Sequence, residues 1–318
     1  MKKLTQVPTL EDIQQAHQAI APFIHRTPVL TSQFFDQKTG AQIFFKCENF
    51  QKVGAFKMRG ACCAVLAMTA AEKAKGITTH SSGNHGQAVA RSAQIQGIKA
   101  YIVMPKNAPQ IKVDAVRSYG AEVIFCHSSQ EGREEKLAEV VAQTGATFVH
   151  PYNNYNVIAG QATAAKELLE EIPDLDILMS PVGGGGLASG SALMTHYADG
   201  KVRMIGSEPK GADDAFRSLQ SGQMQKNEQV NTIADGLRTN IKEKTFGILK
   251  EHAERIITVS DEEIVVAMRM VWERMKIIIE PSCSVPVAAV LQQPELFHNQ
   301  KIGIILTGGN VDLNKLPF

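Results

Sequence analysis

The chain has 318 residues, of which 44% are hydrophobic, and its 33 Lys and Arg almost balance its 32 Asp and Glu. At about 100 to 200 residues per domain, this length predicts two domains that each bury a core, and the apolar content excludes intrinsic disorder. The near-neutral charge argues against a nucleic-acid partner, so we expect a small-molecule partner. No apolar run reaches the ~20 residues of a membrane span, and the start Met1-Lys2-Lys3 is not followed by the apolar region of a secretory signal. We therefore expect a cytoplasmic protein.

Short runs of β-branched residues alternate with helical segments along most of the chain. A first helix is predicted to begin at Thr9, with Asp12 as its acidic first-turn partner, and to end near Ile20. The predicted strands are 43–47, 77–79, 101–104, 123–125, 177–179, 202–205, 256–259 and 302–306, with helices such as 86–96, 109–119 and 131–144 between them. Strands separated by helices indicate parallel βαβ units, whose ligands bind beyond the carboxyl ends of the strands.

Three segments that follow predicted strands or form turns carry polar side chains suited to a binding site. In 54–60, Gly-Ala-Phe-Lys-Met-Arg-Gly, Lys57 beside Phe56 at a helix start suits a desolvated amine that forms a Schiff base, although a lone lysine is usually solvated surface. The segment 81–87, Ser-Ser-Gly-Asn-His-Gly-Gln, offers hydroxyls, an amide and N–H groups to a carboxylate, and is equally a good helix N-cap. The turn 307–310, Thr-Gly-Gly-Asn, is a weak signal by itself.

Four consecutive glycines, 183–186, stand between the strand 177–179 and a helix that includes Leu187. Such a run costs backbone entropy, but it lets N–H groups approach a phosphate at a helix N-terminus; the alternative is a tight structural turn. Without a following Lys-Ser or Lys-Thr it is no nucleotide-hydrolysing P-loop. The run also satisfies G-x-G-x-x-A ending at Ala188, and Glu208 stands 20 residues later, so an NAD-binding oxidoreductase is an alternative hypothesis.

Together these segments resemble the fold-type II pyridoxal-phosphate enzymes, in particular the serine racemase and serine/threonine dehydratase (ammonia-lyase) branch. The similarity spans nearly the whole chain, including 26–29, 55–61, 81–87, 157–161, 183–187, 234–237, 280–282 and 307–313. It implies pyridoxal 5'-phosphate rather than NAD, and a tryptophan synthase β-like α/β fold with open parallel sheets in three layers. It also implies a large cofactor-binding domain of residues 1–69 and 150–318, an inserted mobile substrate-carboxylate domain of residues 70–149, and a homodimer.

The resemblance also implies roles for individual residues. Lys57 would hold the cofactor as a Schiff base and act as base on the α-proton, with Ser82 as a second base on the opposite face. The neutral Thr307 would face the pyridine nitrogen, which favours prompt loss of a β leaving group. The implied cofactor contacts are Phe56, Lys57, Asn84, Gly183, Gly184, Gly185, Gly186, Leu187, Gly236, Glu280 and Thr307. The implied substrate contacts are Ser81, Ser82, Asn84, His85 and Arg133.

The implied reaction is β-elimination from L-serine or L-threonine, which yields a 2-oxo acid and ammonia, with serine racemisation as a further activity. Arg133 matches an arginine that can meet a second carboxylate, so L-threo-3-hydroxyaspartate elimination is an alternative main activity, as is amino-acid racemisation. The alternative for Arg133 is a surface arginine on the predicted helix 131–144. Tyr152 stands where animal serine racemases carry Asn. A non-catalytic cofactor carrier is a further alternative.

A cation site is the last implied feature. Glu208, Ala212 and Asp214 match a divalent-cation site of the resembled branch, and two carboxylates with a main-chain carbonyl suit magnesium, calcium or manganese. The alternative is an acidic helix start that interacts with the helix dipole.

Overall fold

The computed structural model of the protein describes residues 1–81, 83–108, 110–198 and 201–318. In these ranges the strands form two sheets, one of six strands and one of four. The strands, in chain order, are β1 (Val29–Thr31), β2 (Gln42–Cys47), β3 (Ile77–His80), β4 (Ala100–Pro105), β5 (Glu122–Cys126), β6 (Thr147–Phe148), β7 (Ile177–Pro181), β8 (Arg203–Pro209), β9 (Arg255–Val259) and β10 (Lys301–Leu306).

The larger sheet has the order β1-β2-β10-β7-β8-β9 and is parallel apart from β1, which pairs antiparallel with β2 at the edge. The smaller sheet has the order β5-β4-β3-β6 and its pairs are all parallel. The strands of the smaller sheet all fall between β2 and β7 in the sequence. The smaller sheet is therefore an insertion into the chain of the larger one, as the resemblance implies, while the boundaries at 70 and 149 stay a prediction.

Helices cover both sheets. They are α1 (Leu10–Ile20), α2 (Gln33–Thr39), α3 (Lys57–Leu66), α4 (Ala70–Lys75), α5 (Asn84–Gln96), α6 (Gln110–Ser118), α7 (Gln130–Thr144), α8 (Tyr155–Glu171), α9 (Gly186–Tyr197), α10 (Asp214–Ser221), α11 (Glu243–His252), α12 (Asp261–Met275), α13 (Pro281–Gln292) and α14 (Pro294–Phe297). Thr9 caps α1 in a reciprocal pair of hydrogen bonds with Asp12, which confirms the predicted start of this helix.

The larger sheet is buried on both faces. Along β7, Ile177 and Met179 pack with residues of α12 and α13, whereas Leu178 between them packs with residues of α1, α3, α8 and α9. This alternation is the two-residue period of a strand, and apolar side chains on both faces are typical of parallel sheets between helices. The smaller sheet lies likewise between α5 and α6 on one face and α7 on the other. The predicted three-layer α/β fold is confirmed.

Helices α3, α8 and α9 touch through their main chains. A Cβ on Gly160 of α8 would lie 2.6 Å from the Arg59 main-chain oxygen and 2.7 Å from Gly60 Cα, both in α3. A Cβ on Gly190 of α9 would lie 2.7 Å from Ala162 N in α8. Because these contacts leave no room for side chains, α3 and α9 are both fixed closely against α8.

The eight strands predicted from the sequence are present with small differences at their ends, and β1 and β6 were not predicted. Both missed strands are only two or three residues long, so they carry little periodic signal. The prediction of parallel pairing holds for every strand in the described ranges except β1. Within the same ranges, no helix has the length and apolar character that crossing a bilayer requires.

Candidate active site

A cavity of about 360 Å³ lies between the two sheets, at the carboxyl ends of the parallel strands. Its wall includes Lys57 at the start of α3, the glycines that precede α9, the segment that joins β3 to α5, and Thr307 just after β10. The fold therefore brings together segments that are as much as 250 residues apart in the sequence (307 − 57 = 250). This volume and position are typical of a small-molecule site in an α/β protein.

Lys57 is partly buried in the wall of this cavity. Its Nζ donates to the Pro151 carbonyl at 3.2 Å and lies 4.9 Å from the centre of the Phe56 ring. Burial lowers the pKa of Lys57 to about 8, against the opposing effect of the Glu280 carboxylate. Part of the Lys57 population is therefore an uncharged amine near neutral pH, as a nucleophilic or basic lysine requires.

The glycine loop approaches the cavity as a concave main-chain surface. Gly185 has φ +84°, a conformation that favours glycine, and α9 begins directly after it. A Cβ on Gly183 would lie 2.9 Å from Leu237 Cα. The first N–H groups of a helix have no partner within the helix, so the start of α9 at Gly186 and Leu187 brings N–H donors and the positive end of the helix dipole to the cavity. These donors fit the phosphate of pyridoxal phosphate.

Residues next to the start of α5 also line the cavity. Ser81, Asn84 and His85 all reach the wall, whereas Ser82, the predicted second base, lies outside the described residues. Burial, with a smaller effect of Lys57, lowers the pKa of His85 to about 3, so its imidazole is neutral. Its Nε2 donates to the Val149 carbonyl at 2.9 Å, since a carbonyl oxygen only accepts. His85 can therefore meet a carboxylate through its main-chain N–H, but not through its imidazole Nδ1.

Glu280, Gly236 and Thr307 complete the part of the wall that was predicted to contact the cofactor. Glu280 accepts two hydrogen bonds from Asn84 Nδ2, at 2.9 and 3.2 Å. Burial, reinforced by Asp235, raises the pKa of Glu280 to about 7. The Thr307 carbonyl accepts from the Phe56 N–H at 3.0 Å, which fixes the turn before Lys57 to the end of β10.

Arg133, at the first turn of α7, also lines the cavity. Its Nη2 donates to the Ser128 carbonyl at 3.1 Å, and its buried Nε has no hydrogen-bond partner among the described residues. Lys112 of α6, which also lines the cavity, forms an ion pair of 3.1 Å with Asp235, which lies between α10 and α11. Arg133 is therefore a cation of the wall that can receive an anionic ligand.

Glu208, Ala212 and Asp214, the predicted cation ligands, lie apart from this cavity at the end of β8 and the start of α10. Both carboxylates are buried: Glu208 accepts from the Phe216 N–H at 2.7 Å and Asp214 from the Ile241 N–H at 2.8 Å. Burial and the neighbouring Asp214 raise the pKa of Glu208, and burial raises that of Asp214 to about 6. Two neighbouring buried carboxylates, of which Asp214 opposes the ionisation of Glu208, fit a divalent cation. The described residues contain no cluster of three metal-binding side chains, so a cation bound here would need main-chain oxygens or water to complete its coordination.

A buried ion network supports the helix of Lys57. Arg59 donates to both carboxylate oxygens of Glu48, at 2.7 and 2.8 Å, and to both of Glu167, at 2.8 Å each. Lys46 lies 2.7 Å from Glu167, and all four side chains are excluded from solvent. Burial raises the pKa of Glu167, but hydrogen bonds from His17 and Arg59 outweigh that effect and hold it below its ordinary value.

Sequence reasoning missed some residues of this site and left others without a role. Lys112 and Asp235 carry no sequence signal, because their pairing depends on how the two sheets meet. The Tyr152 hydroxyl donates to the Asn240 carbonyl at 2.8 Å, and a Cβ on Gly184 would collide with its ring, so this side chain covers the glycine loop. Asn310 belongs to the weak Thr-Gly-Gly-Asn turn, yet its amide reaches Asn84.

Comparison with known proteins identifies the group to which this arrangement belongs. A family model described as pyridoxal-phosphate dependent enzyme matches residues 20–308. The chain is 48% identical to the β-hydroxyaspartate dehydratase of Paracoccus denitrificans (strain Pd 1222), over 98% of this chain and 99% of that protein. The crystal structure of serine racemase from Dictyostelium discoideum has 46% identity and a TM-score of 0.92, over 96% of this chain and 99% of that one. The crystal structure of the T.th. threonine deaminase has 40% identity and a TM-score of 0.92, over 96% of this chain and 99% of that one.

Proposed function

Because the chain belongs to the family of pyridoxal-phosphate dependent enzymes, we propose that Lys57 attaches the cofactor and serves the β-elimination of a hydroxy amino acid, with release of a 2-oxo acid and ammonia. The same family membership decides against the NAD-binding alternative. The observation that carries the proposal is that Lys57, whose pKa is lowered by burial to about 8, lines the same cavity as the glycine loop and as Ser81, Asn84 and His85. When bound, pyridoxal phosphate withdraws electrons from the α-carbon and so acidifies its proton.

The residues of the chain divide the work between three parts of the cavity. The N–H groups of residues 183–187 hold the phosphate, and Phe56, Asn84, Gly236, Glu280 and Thr307 surround the ring. Ser81 and the N–H groups at the start of α5 hold the α-carboxylate and fix the orientation of the substrate. Lys57 Nζ then accepts the α-proton, and the β-hydroxyl leaves with its electron pair and takes up a proton to become water. The released enamine is hydrolysed by water, which gives the 2-oxo acid and ammonia.

A second candidate substrate, L-threo-3-hydroxyaspartate, is favoured by Arg133. Hydroxyaspartate differs from serine by a second carboxylate, and the Arg133 guanidinium supplies a cation to the wall of the same cavity. A guanidinium binds a carboxylate through charge-assisted hydrogen bonds, which are about twice as strong as neutral ones. The Paracoccus relative is named for the dehydration of β-hydroxyaspartate, and its identity to this chain is high.

Replacing Arg133 with Gln is expected to lower kcat/KM for threo-3-hydroxyaspartate by about 10- to 100-fold, because hydrogen bonds to a charged group contribute about 1.5–3 kcal/mol. The value for L-serine should change little, since serine has no second carboxylate. Steady-state release of oxo acid from both substrates measures this ratio. Arg117→Gln, a change of the same chemistry at the end of α6, is the matched control. An equal loss for both substrates would show that Arg133 does not select the diacid.

The reaction class is tested by supplying the purified protein with pyridoxal phosphate and each of serine, threonine and threo-3-hydroxyaspartate. We expect a yellow protein that releases oxo acid and ammonia in equal amounts from at least one of them. A yellow protein inactive on all three would support the carrier instead. Chiral analysis of residual serine in the same reactions measures racemisation, which we propose as an accompanying activity because of the similarity to serine racemases.

We also propose a divalent-cation site at Glu208, Asp214 and the carbonyl of Ala212. Removal of the cation by a chelator should lower the melting temperature, because it leaves two opposed carboxylates buried without a counter-ion. Addition of Mg²⁺, Ca²⁺ or Mn²⁺ should restore it in the wild type, and in the control Asp213→Asn, but not in Asp214→Asn. A melting temperature that does not respond to chelator or to cation would contradict the proposed cation site.

Homodimerisation and a cytoplasmic location stay predictions. Sedimentation of the holoenzyme tests whether the protein is a dimer.

A further inference from the structure

Asn310, in the turn after β10, contacts three other segments of the active site, two through its side-chain amide and one through its main-chain N–H. Its Nδ2 donates to the Val53 carbonyl at 2.8 Å and to Asn84 Oδ1 at 2.8 Å. Its main-chain N–H donates to Glu280 at 3.3 Å. Val53 precedes the turn that carries Lys57, whereas Asn84 begins α5 beside the smaller sheet. One side chain thus ties the turn before the lysine to the segment that faces the substrate.

These hydrogen bonds have a fixed direction. A main-chain carbonyl only accepts, so the Val53 oxygen requires the NH₂ end of Asn310 to point towards it. The second hydrogen of that NH₂ group then points at Asn84, which accepts the hydrogen bond through its side-chain oxygen Oδ1. The Asn84 amide has its own NH₂ on the other side, and this group donates to both oxygens of Glu280. The reversed Asn84 amide would set two NH₂ groups against each other and an oxygen against a carboxyl group.

We propose that Asn310 is a positioning residue that fixes which end of the Asn84 amide carries the NH₂ group, so that one hydrogen of this group serves the two Glu280 oxygens and the other is available to the cofactor ring. This inference rests on the proposed function, in which Asn84 hydrogen-bonds the ring hydroxyl. A hydroxyl that loses its proton accepts hydrogen bonds, so an NH₂ group stabilises the ionised cofactor, whereas a reversed amide would offer it an oxygen. Asn310 therefore sets the ionisation of the bound cofactor without touching it.

The test is a double-mutant cycle on the holoenzyme, read by the pH titration of the visible spectrum of the bound cofactor and by cofactor affinity for the apoprotein. Asn310→Ala is expected to shift the spectral titration by about one pH unit and to weaken the affinity about tenfold, the size of one hydrogen bond to a charged group. Asn84→Ala should give shifts at least as large. In the Asn84→Ala background, Asn310→Ala should add almost nothing, because it acts through Asn84.

Additional variants separate this role from a structural one. Asn310→Asp keeps the size of the side chain but removes its NH₂ donor, so it should reproduce the spectral shift. The control is Asn314→Asp, the same charge change at an exposed residue four positions later, and it should leave the spectrum unchanged. If Asn310→Ala does not fold, Asn310→Ser, with one donor instead of two, takes its place. Equal effects of Asn310→Ala in both backgrounds would overturn the proposal. A normal spectrum in Asn84→Ala would overturn the proposed contact between Asn84 and the cofactor, and this inference with it. If the spectrum shifts in Asn84→Ala but not in Asn310→Ala, only the role of Asn310 is overturned.

Discussion

Replacing Lys57 with alanine is expected to lower kcat for elimination by about a thousandfold and to abolish covalent attachment of the cofactor. A positioned acid or base contributes about 10²- to 10⁴-fold, and no other amine of the described residues shares both its place in the cavity and its lowered pKa. Oxo-acid release measures the rate, and borohydride reduction followed by mass measurement detects the attachment. Lys52→Ala, in the turn just before Lys57, is the control and should retain both.

The pH dependence tests the same assignment. Because burial lowers the pKa of Lys57 to about 8, the uncharged amine that accepts a proton increases as pH rises, and kcat should rise through about pH 8 to a plateau. The Glu280 carboxylate opposes this lowering, so Glu280→Gln should move the rise to lower pH. A rise that moves to higher pH in this variant would contradict the electrostatic assignment of the pair.

Replacing Arg59 with leucine is expected to destabilise the fold by about 3–5 kcal/mol, the usual result of removing one partner from a buried ion pair. The change leaves Glu48 and Glu167 in the interior with Lys46 as their only remaining full cation in the described network. Chemical denaturation of the apoprotein measures the loss. Since Arg59 lies two residues after Lys57, the variant should also bind cofactor less tightly.

Arg26 offers a matched control for this stability change. It forms an ion pair of 3.0 Å with Glu170, which lies on the same helix as Glu167, but both side chains are about half exposed. An exposed pair contributes at most about 1 kcal/mol, so Arg26→Leu should change stability little. Equal losses for the two variants would mean that burial does not govern the strength of the Arg59 network.

The sequence predicted the parts of the site that local patterns encode. Glycines in a row before a helix, and a polar segment after a strand, each carry a physical reason to lie at the edge of a parallel sheet, and the structure puts them at one cavity. Individual partners depend on how distant segments meet, so the pairing of Lys112 with Asp235 and the reach of Asn310 to Asn84 were not predictable. The edge strand β1 was not predicted, because three residues are too few to show the alternation of polar and apolar side chains that indicates a strand.

The imidazole of His85 shows a second kind of limit. The sequence placed the residue correctly at the cavity, but the side chain is committed to the Val149 carbonyl by its burial and tautomer. Residue type and position in a motif do not determine which atom of a side chain faces a ligand. That choice is made by neighbours such as Val149, 64 residues away in the chain.

The contact of α3 and α9 with α8 through Gly60, Gly160 and Gly190 bears on the engineering of this protein. Lys57 stands at the start of α3 and the glycine loop at the start of α9, so the same three helices set the span between the two proposed anchor points of the cofactor. A library that alters substrate choice should therefore leave these three positions as glycine and vary the wall around Arg133 and Tyr152. There, a new side chain changes what enters the cavity without altering the distance that the cofactor must bridge.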